Sequence, residues 1–290
     1  MRIQPQFADT LRQFRDFHPK RFLSVGSERW EFVESGSGSN SVVILGGGGS
    51  TAESMISVNI ALSYRSHVIS IGLPAKAMAI DRVVCGIEAI MESLGVEKAV
   101  FLGHSLGGMV IQYFALRRPY RVVGLVLSGT AFYLGIRSYV LPLVSKWMGF
   151  APMAILIHLV KSQMNRLLGP VPESQFWISF YDEELNQSDA GARLKYQFQL
   201  LAELAIFFRN NPRAIAASDL NSIPVQIISA EDDRGFTKRE IAFLGNLYRN
   251  VQTVILPPGT GHLSFLTQLD EYIQIVQQYI QNIAHLTPPQ

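Results

Sequence analysis

The sequence is poor in the features that mark several large classes of protein. It has one cysteine, Cys85, in 290 residues, which excludes an intramolecular disulfide framework and favours a reducing compartment. It has no block of basic residues, and its formal net charge is only +2, so a nucleic-acid partner is not expected. No group of histidine, cysteine and carboxylate residues has the spacing of metal ligands. We therefore expect a cytoplasmic globular protein with no metal or organic cofactor, and with Cys85 in a helix of its core.

Long apolar runs are also missing. The most apolar later segment, residues 147–160 (WMGFAPMAILIHLV), contains Pro152 and His158 and is shorter than the roughly 20 residues that span a bilayer. It predicts a buried or lid helix, and no stable membrane span. The N-terminus lacks the continuous apolar region of a secretory signal. Its apolar residues have roughly helical spacing and predict a short amphipathic helix: Phe7, Leu11, Phe14 and Phe17.

The chain alternates between strand-like and helix-like segments. An opening hairpin is predicted at 21–25 and 29–35, followed by strands at 41–45, 67–71, 98–102, 121–128, 224–229 and 251–256. Helices are predicted near 52–65, 80–94, 107–118, 237–248 and 266–283. β-branched strands separated by amphipathic helices are typical of a parallel sheet covered on both faces, which is the α/β class.

Between Ser128 and Ile223 this alternation stops, and the segment is rich in Trp, Phe, Met and Leu. We interpret residues 129–222 as a helical cap inserted in an α/β core made of 1–128 and 223–290. Such a cap would overhang the carboxyl ends of the strands, where open α/β sheets bind ligands. Its aromatic residues either line an apolar pocket or form the core of the cap, and the second is favoured for any one of them: Phe132, Tyr133, Trp147, Trp177, Phe180 and Tyr181.

The segment FLGHSLGG places a serine between glycines directly after the strand at 98–102. A side chain at so sharp a strand-to-helix turn occupies a strained conformation, which is tolerable only where its neighbours lack bulk. Gly103 and Gly107 supply that room beside His104. The unpaired N–H groups at the start of the next helix would face any negative charge that develops near Ser105. This pattern favours a nucleophilic serine over a glycine-rich turn with an incidental serine.

A serine nucleophile needs a histidine base and a carboxylate that orients it. Asp232 and Asp233 follow the strand that ends at Ser229, and His262 lies in the loop after the strand that ends at Leu256. The chain order Ser, Asp, His is that of the nucleophile-elbow hydrolases. We favour Asp233 over Asp232 because the residue further from the strand better matches the usual reach. Either aspartate could instead serve an ordinary turn, and His262 could be a capping or surface histidine.

Four successive glycines, 46–49, follow the strand at 41–45. They predict an oxyanion hole in which the backbone N–H of Gly48, with Gly47 next, acts together with the N–H of Leu106. The rival interpretation is a dinucleotide site, because the loop satisfies G-x-G-x-x-A. That site needs an acidic residue at the end of the next strand, and 68–77 (VISIGLPAKA) has none. A P-loop fails as well, since no Lys-Ser or Lys-Thr pair follows.

Together these residues resemble the α/β-hydrolase superfamily, in its serine-nucleophile branch with a helical cap. The resemblance implies an eight-stranded, mostly parallel sheet and hydrolysis through an acyl-enzyme, with Ser105, Asp233 and His262 as the triad. The epoxide-hydrolase and dehalogenase branches are disfavoured because they use aspartate as nucleophile. Two departures stand out: Gly46-Gly47 replaces the usual His-Gly, and IGLPAKA replaces an acidic, glycine-rich segment. The second is similar to maspardin, a member of this fold thought of as a non-catalytic binding protein.

The resulting functional hypothesis is a carboxylesterase with a small or medium apolar substrate. The same triad serves thioesterases, lactonases, carbon–carbon bond hydrolases and acyltransferases, and the fold does not choose among them. The non-enzymatic alternative is a binding module with a vestigial triad.

Overall fold

The computed structural model describes residues 5–76 and 79–284. Its strands are β1 (Arg21–Val25), β2 (Glu28–Ser35), β3 (Ser41–Leu45), β4 (His67–Gly72), β5 (Ala99–His104), β6 (Val122–Ser128), β7 (Val225–Ala230) and β8 (Val251–Leu256). Its helices are α1 (Pro5–Phe17), α2 (Ile56–Ser63), α3 (Ile80–Ser93), α4 (Leu106–Arg117), α5 (Arg137–Phe150), α6 (Met153–Leu168), α7 (Ser174–Leu185), α8 (Ala190–Asn210), α9 (Lys238–Gly245), α10 (Ser264–Thr267) and α11 (Leu269–Ala284).

The strands form one eight-stranded sheet in the order β1-β2-β4-β3-β5-β6-β7-β8. Only β2 pairs in the antiparallel sense, with β1 and with β4, and β3 to β8 are parallel. The predicted α/β class and mostly parallel eight-stranded sheet are therefore confirmed. In a parallel strand–helix–strand unit the helix carries the chain back, so that the parallel strands all end at the same side of the sheet. The loops that follow β3, β5, β7 and β8 therefore lie together at the carboxyl ends of the strands.

The sheet is buried on both faces because successive side chains of a strand point in opposite directions. Val43 and Phe101 belong to a core cluster that includes α3 and α4. Their neighbours Val42 and Val100 belong to a second cluster that includes α2 and α11. This two-sided burial explains why the strands are continuous apolar runs, as parallel sheets require.

The N-terminal helix forms as predicted, with Leu11 and Phe14 buried and Phe17 80% exposed. The predicted contribution of Phe7 lies outside the described side chains. Cys85 is in a helix, α3, but the prediction that it belongs to the core is wrong, because its thiol is exposed. It lies next to Val84 and Val83, which occupy the inward face of the helix in its place.

Four helices, α5 to α8, fill the chain between β6 and β7; we call them the helical insertion. Helix α8 joins the insertion to the sheet, since Leu200, Leu204 and Phe208 are part of the same core cluster as β5 and α4. The domain boundaries proposed from the sequence, 129–222 within 1–128 and 223–290, stay a prediction, and residues 1–4, 77–78 and 285–290 lie outside the described part of the chain.

The apolar segment 147–160, predicted as a single buried or lid helix, is not one helix, because it is divided between the end of α5 and the start of α6. The chain breaks at Ala151 and Pro152, between α5 and α6, and Trp147 is 71% exposed. Of the other aromatic residues considered for the pocket, Phe132, Trp177 and Phe180 are buried in the two main core clusters. Among the six aromatic residues named in the sequence analysis, Tyr181 alone lines the cavity that contains Ser105. No helix among residues 5–76 and 79–284 has the length and apolarity needed to cross a bilayer.

Candidate active site

Ser105 lies at the turn from β5 into α4, with φ of 52° and ψ of −116°. A positive φ is costly for a residue with a side chain, and persists where surrounding structure enforces it. Its backbone is held from two sides: the Ser105 N–H donates to the carbonyl of Ser128, 2.9 Å away, and the hydroxyl of Thr130 donates to the Ser105 carbonyl at 2.8 Å. This turn sets the serine side chain at the carboxyl edge of the sheet.

The two glycines that flank Ser105 are required by close backbone packing. A Cβ at Gly103 would lie 2.6 Å from the carbonyl oxygen of Gly107, and a Cβ at Gly107 would lie 2.2 Å from the carbonyl oxygen of Leu45. Both distances are far below van der Waals contact, and both partners are main-chain atoms that cannot rotate away. The G-x-S-x-G spacing is thus explained by the crossing of α4, β5 and the end of β3.

Asp233 and His262 meet across the loops that follow β7 and β8. The Nδ1 atom of His262 lies 2.9 Å from Oδ1 and 3.1 Å from Oδ2 of Asp233. The carboxylate is almost fully buried, at 1% exposure, while the imidazole is 16% exposed. Asp233 Oδ1 also accepts a hydrogen bond from the backbone N–H of Gly235 at 2.7 Å. The carboxylate therefore fixes the ring so that Nε2 is the free nitrogen.

Asp232 has a different position from its neighbour. Its two carboxylate oxygens accept hydrogen bonds from the backbone N–H groups of Gly261 and Gly259, each at 2.9 Å. These bonds, that from Gly261 first, hold the pKa of Asp232 below its usual range. Asp232 thus ties the loop that carries His262 to the loop after β7, and makes no contact with the imidazole among the described hydrogen bonds.

His104 is the other histidine close to Ser105. Its ring is buried, 4.8 Å from the ring of His262 and 4.9 Å from the ring of Phe265. Burial, with a smaller effect of nearby His262, lowers the pKa of His104 well below its usual value. We infer that it is neutral and packs beneath His262 instead of acting as a base.

Ser105 and His262 line the same cavity. Among residues 5–76 and 79–284, no hydrogen bond joins the Ser105 hydroxyl to the imidazole, whereas the Asp233–His262 bond is formed. The structure therefore places all three predicted triad residues at the carboxyl ends of the strands. Of the two hydrogen bonds that a triad needs, the one between Asp233 and His262 is formed.

The cavity has a volume of about 880 Å³, within the size range of small-molecule sites. Its floor is the sheet edge with Ser105, His262 and the glycine loop, and its roof comes from the helical insertion. The roof side chains are mostly apolar: Met148, Leu159, Val160, Met164, Leu167, Tyr181, Leu185, Leu194, Phe198 and Leu201. Three charged side chains, Arg166, Arg234 and Asp232, also line it, so an apolar interior is combined with charges of both signs.

The glycine loop passes directly against Ser105. Its carbonyl at Gly47 accepts from the N–H of Ser50 at 3.1 Å, and Gly49 has φ of 84°, which glycine favours at the third position of a tight turn. A Cβ at Gly47 would lie 3.1 Å from the Cβ of Ser105, while one at Gly48 would have nothing within 4 Å. Leu106 is the first residue of α4, where the helix has no internal partner for an N–H group.

A residue missed by the sequence reasoning, Gln197 of α8, holds this loop from above. Its Oε1 accepts from the N–H of Gly49 at 2.6 Å, and its Nε2 donates to the carbonyl of Ser50 at 2.9 Å. Gln197 is 2% exposed. The sequence feature that could have identified Gln197 is its place between Leu194 and Leu201, because an amide within an apolar helical stripe needs a buried hydrogen-bond partner.

A second missed group lies beyond the loop. Glu184 of α7 accepts hydrogen bonds from the hydroxyl of Thr51 and, at 2.9 Å, from Nε2 of Gln187. Lys20 Nζ is 3.8 Å from this carboxylate and 3.8 Å from that of Glu53. Burial is the main cause that raises the pKa of Glu184. These contacts tie the insertion to the segment between β3 and α2.

Comparisons with known proteins agree with this architecture. An uncharacterized protein of Mycobacterium tuberculosis is 25% identical, and the alignment covers 93% of this chain and 84% of that protein. The structure of a thermophilic esterase from Thermogutta terrifontis matches with a TM-score of 0.73 at 17% identity, over 92% of this chain and 98% of that one. The epoxide hydrolase CorEH matches with a TM-score of 0.74 at 18% identity, over 92% and 99%. At such identities these structures share the fold. The family model described as "alpha/beta hydrolase fold" matches residues 45–269, and the chain therefore belongs to the α/β-hydrolase-fold family.

Proposed function

We propose that this protein is a serine hydrolase that cleaves a carboxylic ester of a small or medium apolar substrate through an acyl-enzyme. The observation that carries the proposal is the strained Ser105 in the wall of the same cavity as His262, whose Nδ1 is hydrogen-bonded to Asp233. The apolar roof favours an apolar acyl or alcohol group. A serine at the nucleophile position argues against the epoxide chemistry of some structural neighbours, which in this fold uses aspartate.

In this mechanism Nε2 of His262 takes the Ser105 proton, and the hydroxyl oxygen attacks the ester carbonyl. Asp233 keeps the proton of His262 on Nδ1 and stabilises the imidazolium that forms. The N–H groups of Leu106 and Gly48, with Gly47 as the alternative, donate to the oxyanion. Protonation by His262 releases the alcohol, after which a water activated by the same imidazole hydrolyses the acyl-enzyme.

A fluorophosphonate probe tests the nucleophile, since it reacts covalently with activated serines. The wild-type protein is expected to be labelled, and Ser105→Ala to lose the labelling completely. The matched control is Ser93→Ala on α3, which changes a hydroxyl outside the cavity and should leave labelling unchanged. Labelling that survives Ser105→Ala, or that never occurs, would favour a binding protein with a vestigial triad.

A second measurement addresses the substrate. Hydrolysis of p-nitrophenyl esters should rise with acyl length and then fall once the acyl chain exceeds the length of the cavity.

Asp233→Asn should lower kcat by about 10⁴-fold, because a buried amide favours the wrong tautomer of the histidine. Asp232→Asn should have a far smaller effect if Asp233 is the triad residue. If the protein hydrolyses thioesters or lactones in preference to esters, the proposed triad would stand and the proposed substrate class would change.

A further inference from the structure

Helix α5 exposes its large apolar side chains and buries its small ones. Large apolar residues recur mostly every three or four positions along one face of the helix. Their side chains are 46% to 77% exposed: Ile136, Tyr139, Val140, Leu143, Val144, Trp147 and Phe150. The opposite face consists of Ser138, Pro142, Ser145 and Gly149, all buried. Amphipathic helices of soluble proteins normally have the reverse arrangement. We call the seven exposed residues the outer face of α5.

The exposure continues in the next helix. Met153, Ile155 and Leu159 of α6 are 45%, 52% and 45% exposed. Of the 16 large hydrophobic residues that are exposed in the described part of the chain, 10 lie between Ile136 and Leu159. Soluble monomers seldom expose apolar patches of this kind unless a partner or a membrane covers them.

The charged residues of the segment that contains the outer face all have one sign. From Leu134 to Pro172 the sequence has no Asp or Glu, although it has four cationic residues: Arg137, Lys146, Lys161 and Arg166. Arg137 pairs with Glu240, and Lys161 with Asp182. Lys146 and Arg166 are exposed and have no ion pair among residues 5–76 and 79–284. An anionic surface would complement both the apolar side chains and these unpaired cations.

These observations favour a lipid surface over a second copy of the chain. A symmetric dimer would place identical patches against each other, and because residues 134–172 contain no Asp or Glu, that segment of the second copy would offer no anion to the unpaired Lys146 and Arg166. A bilayer accepts apolar side chains in its acyl region and offers phosphate groups to lysine at the level of the headgroups. Trp147 and Tyr139 add the aromatic side chains that prefer this boundary.

We propose that the outer face of α5 docks on the surface of an anionic phospholipid bilayer, with Trp147 and Leu143 in the acyl region and Lys146 at the phosphates. The cavity opens beside this surface, because Leu159 and Arg166 are exposed and also line the cavity wall. Docking would therefore bring the mouth of the cavity close to the lipid. The docking itself does not depend on the proposed esterase activity.

Flotation with lipid vesicles tests this proposal on the 290-residue chain. The protein should float with vesicles of phosphatidylcholine mixed with phosphatidylglycerol, bind pure phosphatidylcholine more weakly, and lose binding as salt increases. Trp147 fluorescence should shift to shorter wavelength on binding, because Trp30 and Trp177 are already buried. Trp147→Glu should abolish flotation. The matched control is Tyr64→Glu, which places the same charge at an 81% exposed aromatic residue outside the insertion, and it should float normally.

A second pair of variants separates charge from apolar contact. Lys146→Gln should weaken vesicle binding about five-fold, the effect of one basic residue near an anionic surface. Lys98→Gln, at an exposed lysine after α3, should leave it unchanged. Ser105→Ala should bind vesicles like the wild type, so that failure of docking and failure of the esterase proposal give different results.

Three outcomes would overturn the proposal. The first is the absence of flotation at low salt with anionic vesicles, and the second is flotation that Trp147→Glu leaves unchanged. The third is a concentration-dependent dimer in sedimentation experiments that Trp147→Glu dissociates, together with no vesicle binding, which would assign the outer face to a second copy of the chain. Thermal unfolding of each variant checks that the exposed substitutions leave the fold intact.

Discussion

The carboxyl edge of the sheet and the helical insertion above it are constrained by different contacts. At the carboxyl edge, backbone atoms pack directly on other backbone atoms. At Gly107, for example, the carbonyl oxygen of Leu45 is so close that there is no room for a Cβ atom. In the insertion, helices pack through side chains, and α5 leaves a full apolar face outside the interface. At the carboxyl edge, even the addition of one Cβ atom to a glycine should therefore disturb the fold. On the exposed face of α5, most substitutions should leave the protein folded.

A pair of glycine substitutions gives the largest expected contrast. Gly107→Ala should lower the free energy of unfolding by about 3 kcal/mol or more, since the clash is with backbone and exceeds ordinary overpacking. Gly169→Ala, in the insertion, would meet only ordinary contacts at 3.5 Å and 3.7 Å and has φ of −51°; it should be neutral or stabilise by about 0.5 kcal/mol. Urea denaturation measures both. Similar losses at the two sites would contradict the contrast.

The glycine loop can be tested without changing its shape. Gly48 is the second residue of a turn from Gly47 to Ser50, a position where proline is favoured. Gly48→Pro removes the N–H that is proposed to bind the oxyanion, and should lower kcat about 10²- to 10³-fold. Gly48→Ala keeps the N–H and has open space for its methyl group, so its kcat should stay near wild type. Equal kcat in the two variants would move the donor to Gly47.

Gln197 links the two regions, and its loss should have an intermediate effect. Gln197→Leu leaves the Gly49 N–H and Ser50 carbonyl without their partner, which should cost about 1–3 kcal/mol of stability. The loosened loop should lower kcat about ten-fold and change KM little. Gln163→Leu alters the same side chain elsewhere in the cavity wall and should act mainly on KM. A Gln197→Leu enzyme that changes only KM would make Gln197 a substrate contact.

The sequence predicted the sheet edge well because its elements are specified locally. Apolar runs and glycine spacing identify β5, the turn at Ser105 and α4 within a few residues, and parallel strands must then collect their loops at one edge. The triad and oxyanion roles stay predictions that the geometry supports. The insertion was less predictable because helical periodicity identifies an apolar face but not what covers it. That is why Trp147 was expected inside, and why the reach of Gln197 to the loop of another element was missed.

The buried Glu184 gives a pH test of the contacts between insertion and core. Its folded pKa is raised, chiefly by burial, so the folded state holds the proton more tightly than the unfolded state. The stabilisation is present below the unfolded pKa and is lost as pH rises through the folded value. Glu184→Gln should therefore flatten the decline in the free energy of unfolding between acid and neutral pH. Glu97→Gln, at an exposed carboxylate, should reproduce the wild-type profile; a decline unchanged in Glu184→Gln would contradict this assignment.

The smallest expected effect is that of an exposed leucine of the insertion, Leu143, for which the buried Leu204 serves as the reference. Leu204 of α8 is 1% exposed, and Leu204→Ala should cost about 2–5 kcal/mol through lost contacts and the cavity left behind. Leu143 of α5 is 58% exposed, so Leu143→Ala should change the free energy of unfolding by about 0.5 kcal/mol or less in lipid-free protein. Anionic vesicles should separate the two further, because only Leu143→Ala would then lose bilayer contact and weaken binding. A loss above about 1 kcal/mol for Leu143→Ala without lipid would mean that protein already covers this face, and sedimentation of the same sample would show whether that protein is a second copy.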